Sequence, residues 1–304
     1  MKKNEASITS LISAYARVYH AQNEPSPIFS DFAAGKLFTD EEYRNIGDYI
    51  AGGVDFFAPE LKETGASRDE IISHIVKNDL APTPVCRAAY CEEALKTAVR
   101  TGTEQYVILG AGLDTFAFRN PEFLARHKVY EVDHPLTQAD KRKRLSRAGF
   151  EESENHIFVP ADLEKGELAS ALEAAGFDRR KKTFFSLLGV SYYIGKSETA
   201  DFLRALSSLS SDGSTLLFDY ASAGIFLSDV PRVTRMLGMA KAGGEEMRSS
   251  YDYFSMEQLL SDAGFLVYEL LTPRDIEKRF IQGKVKDMRA FENINYIQAV
   301  KKAY

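Results

Sequence analysis

The sequence of 304 residues contains only two cysteines, Cys86 and Cys91. Two cysteines cannot supply a disulfide framework, so we expect reduced thiols in a reducing compartment. Their spacing is C-x4-C, and none of the five histidines lies within ten residues of either one. This pattern is not typical of a zinc site, and we predict no metal site.

An excess of positive charge is also missing. The chain has 38 Lys+Arg against 44 Asp+Glu and a formal net charge of −6. Proteins that bind nucleic acid need a basic face to displace counterions, so this balance argues against nucleic acid as the main partner. It leaves room for a small or a cationic ligand.

Long hydrophobic runs are absent as well. The most apolar stretch, residues 183–194, is too short to span a bilayer, and the N-terminus has no clean apolar signal segment. The apolar fraction of 44% and the charged fraction of 27% are those of an ordinary soluble globular protein. We therefore expect a cytoplasmic protein that does not associate with membranes.

The first hundred residues have the apolar spacing of helices and no convincing strand. The helical segments are 7–22, 40–51, 68–78 and 85–100, interrupted by prolines at 25, 27, 59, 82 and 84. We predict an N-terminal helical cap over residues 1–100. Such helices could bury their apolar faces within the chain or against a second copy, so a homo-oligomer is possible but cannot be read from the sequence.

From Gln105 onwards, strand-like and helix-like segments alternate. The predicted strands are 105–110, 128–132, 156–160, 183–188, 214–219, 265–271 and 293–300, and helices are expected near 120–126, 136–148, 164–175 and 197–210. Alternation of this kind predicts an α/β fold with a doubly wound, mostly parallel sheet. The last two strands are predicted as an antiparallel hairpin at the edge. The core is expected to cover residues 101–304.

Residues 221–252 interrupt the alternation. They contain Pro231, Gly243-Gly244 and methionines at 236, 239 and 247. A segment this long between a strand and the next helix is typical of a lid or a substrate wall. A helical insertion that only fills space is an equal alternative.

The first strand ends in a glycine-containing turn, Gly110-Ala111-Gly112, followed by Asp114 and Thr115. Two glycines at a strand-to-helix turn allow a ligand to approach the backbone closely. A dinucleotide fingerprint needs Gly or Ala at 115, and Asp114 would repel a pyrophosphate. S-adenosylmethionine, which is cationic and lacks phosphate, fits better. The alternative is a tight turn in which Asp114 interacts favourably with the helix dipole.

Acidic residues end the next two strands. Asp133 follows Gly112 by 21 positions, near the spacing at which a doubly wound fold places an acid on ribose hydroxyls. Glu131 shares its strand face and could assist it or contact a neighbour. Asp162 could accept a hydrogen bond from the adenine amine, with Leu163 beside the ring. Three strand ends of this kind in order predict one ligand site.

At this point the chain resembles a known family. The strings GAGLDTFAFR, EVDHPLTQADKRKRL, ADL and LLGVSYYI resemble the S-adenosylmethionine-dependent methyltransferases that include leucine carboxyl methyltransferases and tetracenomycin-type polyketide O-methyltransferases. The likeness covers residues 85–194, with a weaker echo at 28–37. It implies a Rossmann-like class I methyltransferase core with an N-terminal helical extension and a late insertion.

The resemblance also implies that Arg87 holds the methionyl carboxylate of the cofactor, which suits a guanidinium because it binds carboxylates bidentately. The alternative is an ion pair of Arg87 with Glu92 or Glu93 on its own helix. Many relatives have a second Arg where this chain has Ala89, and a Glu where it has Leu188. The contacts of those two residues are therefore not carried over. Arg119 matches a family position and is interpreted as structural.

We therefore expect an S-adenosylmethionine-dependent O-methyltransferase that acts on a carboxylate or hydroxyl of a small-molecule acceptor by in-line displacement. No residue is assigned as catalytic. The substrate pocket is expected to be formed by residues 1–40 and 221–252, with Tyr192, Tyr193 and Tyr220. The alternatives are an NAD(P)-dependent oxidoreductase, disfavoured by Asp114 and Thr115, and a non-catalytic binding module that keeps the fold.

Overall fold

The computed structural model describes residues 7–303, and its centre is a seven-stranded sheet in the order β3-β2-β1-β4-β5-β7-β6. Strands β1 to β5 are parallel, and β7 runs antiparallel to both β5 and β6. The strands are β1 (Gln105–Leu109), β2 (Lys128–Asp133), β3 (His156–Pro160), β4 (Thr183–Leu187), β5 (Thr215–Ala221), β6 (Phe265–Leu271) and β7 (Ile294–Lys301). All seven predicted strands and the antiparallel edge pair are confirmed.

The central strands are buried on both faces, as expected for a parallel sheet covered by helices. Tyr106 and Ile108 of β1 point into the core on one face, whereas Val107 and Leu109 point into the core on the other. This alternation follows from the two-residue period of a strand. The same two-residue period determines which side chains of β5 reach the candidate site.

Helices cover both faces of this sheet. Within residues 7–303 the α-helices are α1 (Ile8–Asn23), α2 (Asp40–Gly52), α3 (Val54–Phe57), α4 (Pro59–Glu63), α5 (Arg68–Ile75), α6 (Pro82–Arg100), α7 (Phe116–Arg119), α8 (Pro121–Leu124), α9 (Pro135–Arg147), α10 (Leu168–Ala174), α11 (Lys196–Leu209), α12 (Pro231–Ala242), α13 (Tyr253–Asp262) and α14 (Pro273–Ile276). Short 3-10 turns lie at Ala34–Leu37, Leu163–Lys165, Ser191–Tyr193 and Ile225–Leu227, and π-helical turns at Val76–Leu80 and Glu277–Ile281. None of the helices within this described range is long and apolar enough to cross a membrane.

Two helix predictions need correction. The helix predicted from residue 85 begins earlier, because Pro82 and Pro84 form the first turn of α6, where a proline needs no hydrogen-bond partner for its nitrogen. The single helix expected near 164–175 is a 3-10 turn and the helix α10, separated at Gly166, which has φ +70°. Cys86 and Cys91 lie buried in α6 and form no disulfide.

The N-terminal helices pack on the sheet through α6. This helix contacts β4, β5 and α1, and its buried face includes Val85, Tyr90 and Leu95. Residues 1–6 of the predicted cap lie outside the described residues. The last helix of the N-terminal segment, α6, thus packs directly on the sheet. The division of the chain into two domains at residue 100 stays a prediction.

The two ends of the 221–252 segment lie side by side at the end of β5. Ser222 forms an isolated parallel bridge with Tyr251, and the amide of Tyr251 donates to the carbonyl of Ala221 at 2.9 Å. Between these ends, α12 is held against the N-terminal helices, because Arg232 Nη1 donates to the carbonyl of Asn78 at 2.8 Å. The segment is therefore an insertion whose ends meet at the sheet and whose helix α12 packs on the N-terminal helices.

Candidate active site

The turn after β1 requires its glycines. Gly110 has φ +67° and Gly112 has φ +48°. Residues with a Cβ rarely adopt this left-handed backbone region. A Cβ on Gly110 would lie 2.4 Å from Cγ2 of Val190, and one on Gly112 would lie 3.0 Å from Cβ of Ser10. The turn therefore packs closely between α1 and the loop that follows β4. Its backbone faces a cavity at the carboxyl end of the sheet.

Asp133, at the end of β2, faces this turn. Its carboxylate accepts hydrogen bonds from the amides of Gly112 and His134, the latter at 2.6 Å. Burial raises the pKa of Asp133 to about 6, although both hydrogen bonds oppose that shift. The side chain lines the cavity, and a carboxylate oxygen has a second lone pair, so Asp133 could also accept from the hydroxyls of a ribose.

Asp162 and Leu163 follow β3 on the same side of the sheet. Asp162 Oδ1 accepts from the amide of Glu164 at 3.0 Å, and its other oxygen lies 3.4 Å from Nζ of Lys165. Both residues line the cavity. Asp114 lines it too, and its carboxylate accepts from the amide of Phe116 at 2.7 Å, which caps the start of α7. The helix-start interaction anticipated for Asp114 is therefore present.

Arg87, on α6, forms a buried ion pair with Asp219 on β5, with 3.0 Å between Nη1 and Oδ2. Nη1 also donates to the hydroxyl of Tyr192 at 3.2 Å. The alternative pairing with Glu92 or Glu93 does not occur, because those residues bind Arg119 and Arg279. Among residues 7–303, both hydrogen bonds of Arg87 involve Nη1, and the guanidinium lines the cavity.

The three tyrosines assigned to the substrate pocket separate into two groups. Tyr192 and Tyr193 line the cavity and pack edge to face, with ring centroids 4.9 Å apart. Tyr220 is not brought to it: its side chain is buried in the core on the opposite face of the sheet, beside Phe218. The reason is strand parity, because the neighbouring Asp219 points towards α6 and Arg87.

Glu131 does not reach the cavity either. It lies buried in an ion pair with Lys141, and its Oε1 accepts a hydrogen bond from Nε2 of His156 at 2.9 Å. Burial raises the pKa of Glu131, but the charges of Lys141 and His156 outweigh it and hold that pKa below its usual value. The cluster anchors α9 to the strand that carries Asp133. Arg119 lines the cavity, but it is held in ion pairs with Glu92 and Asp31.

The sequence predicts that residues 1–40 help to form the substrate pocket, but not the particular contacts that α1 makes there. Arg17 Nη2 donates to the carbonyl of Leu113 at 2.8 Å, and its Nε pairs with Asp31 at 2.9 Å. Thr9 donates to Glu245 from the 221–252 segment. No local pattern signals these contacts; the only hint was the polar series of serines, threonine and arginine along one face of α1.

These groups open into one cavity of about 2170 Å³. That is larger than the roughly 300–1,000 Å³ of an ordinary small-molecule pocket. At one end lie the strand ends with the glycine turn, Asp133 and Asp162. The remainder is walled by α2, α3, the π-helical turn Val76–Leu80 and α12, and it is rich in aromatic and aliphatic side chains. The cavity can accommodate two ligands side by side.

Comparison with known proteins defines the class. The profile of the leucine carboxyl methyltransferase family matches residues 10–207. The chain is 43% identical over 305 aligned positions to YktD of Bacillus subtilis (strain 168), named as an S-adenosyl-L-methionine-dependent methyltransferase, covering 99% of this chain and 100% of that protein. A Mycobacterium avium (strain 104) protein with the same description is 29% identical over 71% of this chain and 72% of its own length.

Solved structures show the same fold. A crystal structure from Thermobifida fusca YX, described as a methyltransferase, superposes with a TM-score of 0.61 and 15% identity over 99% of this chain and 97% of that one. A DUF574 family protein from Streptomyces avermitilis gives a TM-score of 0.56 and 18% identity, with 84% and 95% coverage. Both likenesses extend well beyond the glycine turn.

The fold is therefore the Rossmann-like class I methyltransferase fold. The chain belongs to the leucine carboxyl methyltransferase family, and it is an S-adenosylmethionine-dependent methyltransferase. The oxidoreductase alternative considered for the glycine turn is not supported. S-adenosylmethionine fits the strand-end chemistry, because the backbone approach at Gly110–Gly112, the carboxylate of Asp133 and the guanidinium of Arg87 all line one cavity.

Proposed function

We propose that this enzyme methylates an oxygen, a carboxylate or a hydroxyl, of a small-molecule acceptor by in-line displacement. The observation that carries the proposal is the single cavity in which the strand-end groups meet an apolar space large enough for a second ligand. The family description, which names carboxyl methylation, favours a carboxylate among oxygen acceptors.

For the cofactor we propose the following contacts. Gly110, Ala111 and Gly112 provide the backbone surface, and Asp133 accepts from the ribose hydroxyls. The adenine lies beside Asp162 and Leu163, and Asp114 adds negative charge near the sulfonium. Arg87 binds the methionyl carboxylate through the nitrogens that Asp219 leaves free. All eight cofactor residues line the same cavity, which supports assigning them to one ligand.

S-adenosylmethionine supplies an electrophilic methyl group when bound, so the protein's main tasks are alignment and exclusion of water. The residues that close the cavity suit that role. Ser10 of α1 lies against Gly112, and Arg248 Nε donates to the carbonyl of Tyr193 at 2.6 Å. These contacts hold α1 and the 221–252 segment against the loops at the strand ends, and we propose that together they cover the reacting atoms.

No general base is required if the acceptor is a carboxylate, which is already ionised at neutral pH. Among the described residues, His134 is the one histidine that lines the cavity, and its Nδ1 accepts from the amide of Leu136 at 3.3 Å as the cap of α9. Burial raises the pKa of the Tyr192 hydroxyl well above its ordinary value. Neither group is poised as a base, which favours catalysis by proximity and a carboxylate acceptor.

The experiment is a transfer assay with methyl-labelled S-adenosylmethionine and a panel of aromatic carboxylic acids, phenols and amines. Products are then treated with mild alkali, which releases methanol from methyl esters but not from methyl ethers or amines. We expect alkali-labile label from at least one acid. Stable label on nitrogen or carbon, with none on oxygen, would overturn the proposal.

A further inference from the structure

The contacts proposed for the cofactor leave one of its charged groups without a partner. S-adenosylmethionine carries an α-carboxylate, an α-ammonium and a sulfonium. Arg87 is the proposed partner of the carboxylate, and Asp114 is placed near the sulfonium. An acidic side chain near Arg87 with an unengaged oxygen would suit the ammonium, because hydrogen bonds between charged groups are roughly twice as strong as neutral ones.

Most of the carboxylates that line the cavity are already engaged. Asp114 and Asp133 accept hydrogen bonds from backbone amides. Within residues 7–303, Glu41 and Glu245 are the cavity acids that remain, and Glu41 lies exposed in the first turn of α2. The others form ion pairs with basic residues: Asp31, Glu42, Asp79, Asp162, Glu164 and Glu246.

Glu245, in the 221–252 segment, is held at the strand ends by α1. Its Oε2 accepts a hydrogen bond from the hydroxyl of Thr9, whereas Oε1 has no hydrogen-bond or ion-pair partner in the described part of the chain. The residue after Thr9, Ser10, packs on the glycine turn, since a Cβ on Gly112 would lie 3.0 Å from its Cβ. Contacts thus lead from Glu245 through α1 to Gly112.

Arg87 approaches the same turn from its other end. A Cβ on Gly189 would lie 2.4 Å from Nη2 of Arg87, so the guanidinium lies against the loop that follows β4. The next residue of this loop, Val190, packs on Gly110. Contacts thus lead from Arg87 to Gly110, and the glycine turn lies between a cation and an anion.

The hydroxyl of Tyr193 lies near both charges. Burial raises its pKa, and the charge of Glu245 raises it further, whereas the charge of Arg87 and a hydrogen bond with Thr9 lower it. Tyr193, Arg87 and Glu245 all line the cavity. Arg87 forms its ion pair with Asp219 and not with Glu245, so the two opposite charges face one space without neutralising each other.

We propose that Arg87 and Glu245 together bind the methionyl head group, Arg87 its α-carboxylate and Glu245 its α-ammonium through Oε1. A zwitterion fits between a cation and an anion, and this pair selects against ligands that carry only one of the two charges. Because Glu245 belongs to the 221–252 segment, the cofactor connects that segment to the sheet, and the segment acts as a lid. This inference rests on the cofactor contact proposed for Arg87 and adds a residue outside the strand ends.

The test uses three ligands that differ only in the head group: S-adenosylhomocysteine, its decarboxylated analogue and its deaminated analogue. Each is titrated calorimetrically into the full chain. Glu245→Gln keeps the size of the side chain and an acceptor for Thr9 but removes the charge. We expect it to weaken binding of the two ligands with an ammonium by about tenfold, as the loss of one charge-assisted contact predicts, and not to weaken the deaminated analogue. Glu41→Gln, the same change at the other unpaired acid of the cavity, is the matched control and should leave all three affinities unchanged.

Thermal melts check that each variant folds, and Thr9→Val supplies a second variant that keeps the charge of Glu245. It removes the hydroxyl that holds Oε2, so we expect a smaller loss of affinity, again limited to the ligands with an ammonium. Hydrogen exchange gives an independent readout of the lid. S-adenosylhomocysteine should protect the amides of residues 243–248 in wild type and protect them less in Glu245→Gln.

An equal loss for all three ligands in Glu245→Gln would make the residue structural and overturn the inference, as would an unchanged affinity for S-adenosylhomocysteine. The double variant Arg87→Gln with Asp219→Asn is titrated in parallel. A loss there that is limited to the ligands with a carboxylate, beside an unaffected Glu245→Gln, would reject the role of Glu245 and leave the contact proposed for Arg87 standing. The opposite result would retain Glu245 and reject the contact proposed for Arg87.

Discussion

Arg87 Nη1 lies 3.0 Å from Oδ2 of Asp219, although the two residues are 132 positions apart in the sequence. Asp219 is fully buried, and its other oxygen accepts from the amide of Gly189 at 2.6 Å. The carboxylate thus fixes both the guanidinium and the turn after β4. An arginine fixed in this way is preorganised for a second carboxylate, which is the role proposed for it with the cofactor.

Replacing Arg87 is expected to weaken cofactor binding. Arg87→Ala should reduce the affinity for S-adenosylmethionine by about 2–3 kcal/mol, because a charge-assisted contact in a partly dry site is lost. Calorimetric titration measures this. The double variant Arg87→Gln with Asp219→Asn leaves no unpaired buried charge, so it separates binding from folding. Unchanged affinity in a folded variant would reject the role.

Cofactor affinity should depend on pH through Asp133. The pKa of this carboxyl is raised to about 6 by burial, and in the proposed complex the ribose hydroxyls donate to its ionised form. Protonation below pH 6 therefore competes with binding, and affinity should fall about tenfold between pH 7 and pH 5. In Asp133→Asn the affinity should be low and flat across this range. A steep dependence that survives in the variant would assign the titration to another group.

Asp133→Ala offers a complementary test by thermal unfolding. Because the proposed partner of this carboxylate is the ligand, the variant should lose cofactor affinity while the ligand-free protein keeps its stability. Differential scanning calorimetry with and without S-adenosylhomocysteine compares the two. A large loss of stability in the ligand-free variant would instead make Asp133 structural, through its hydrogen bonds to Gly112 and His134.

Stability should fall at mildly acidic pH because of His20. Its Nε2 accepts from the amide of Ile28 at 2.9 Å, which requires the neutral ring, and burial lowers its pKa from 6.5 to about 4. Between these values the unfolded chain binds a proton that the folded chain does not, so the free energy of unfolding falls as pH decreases. At pH 5 the loss is about 2 kcal/mol. Urea unfolding of wild type and His20→Gln at pH 7.5 and pH 5 measures it; an equal pH effect in both would contradict the assignment.

Gly110→Ala should destabilise the chain for two separable reasons. The positive φ costs about 1–2 kcal/mol, and the new Cβ would meet Val190. Gly149→Ala has a similar φ of +72° with nothing within 4 Å of the new Cβ, so it isolates the backbone cost. Adding Val190→Ala should relieve only the clash. Unfolding free energies of the four proteins resolve the two contributions, and a Gly110→Ala cost no larger than that of Gly149→Ala would disprove the clash.

The sequence predicts what depends on local pattern. All seven strands follow from their apolar periodicity, and the glycine turn with Asp133 and Asp162 follows from the chemistry of strand ends. Strand parity predicts that only one of Asp219 and Tyr220 faces the site, and the structure shows that it is Asp219, which contacts Arg87.

Contacts between distant segments could not be predicted in this way. The pairs Arg87–Asp219 and Asp79–Arg235 join residues 132 and 156 positions apart, and no periodicity encodes which acid meets which arginine. The same holds for Arg17, which reaches the carbonyl of Leu113 from α1. These pairs depend on how the helical segment and α12 pack on the sheet, which is a property of the whole tertiary structure.

A crystal structure of the complex with S-adenosylhomocysteine tests the central claim most directly. The account predicts the ligand at the carboxyl ends of β1 to β3, with its ribose hydroxyls hydrogen-bonded to Asp133 and its carboxylate on Arg87. It also predicts an apolar space that extends from the sulfur towards α2 and α12. A ligand bound elsewhere, or with its carboxylate remote from Arg87 and its ribose remote from Asp133, would contradict the account.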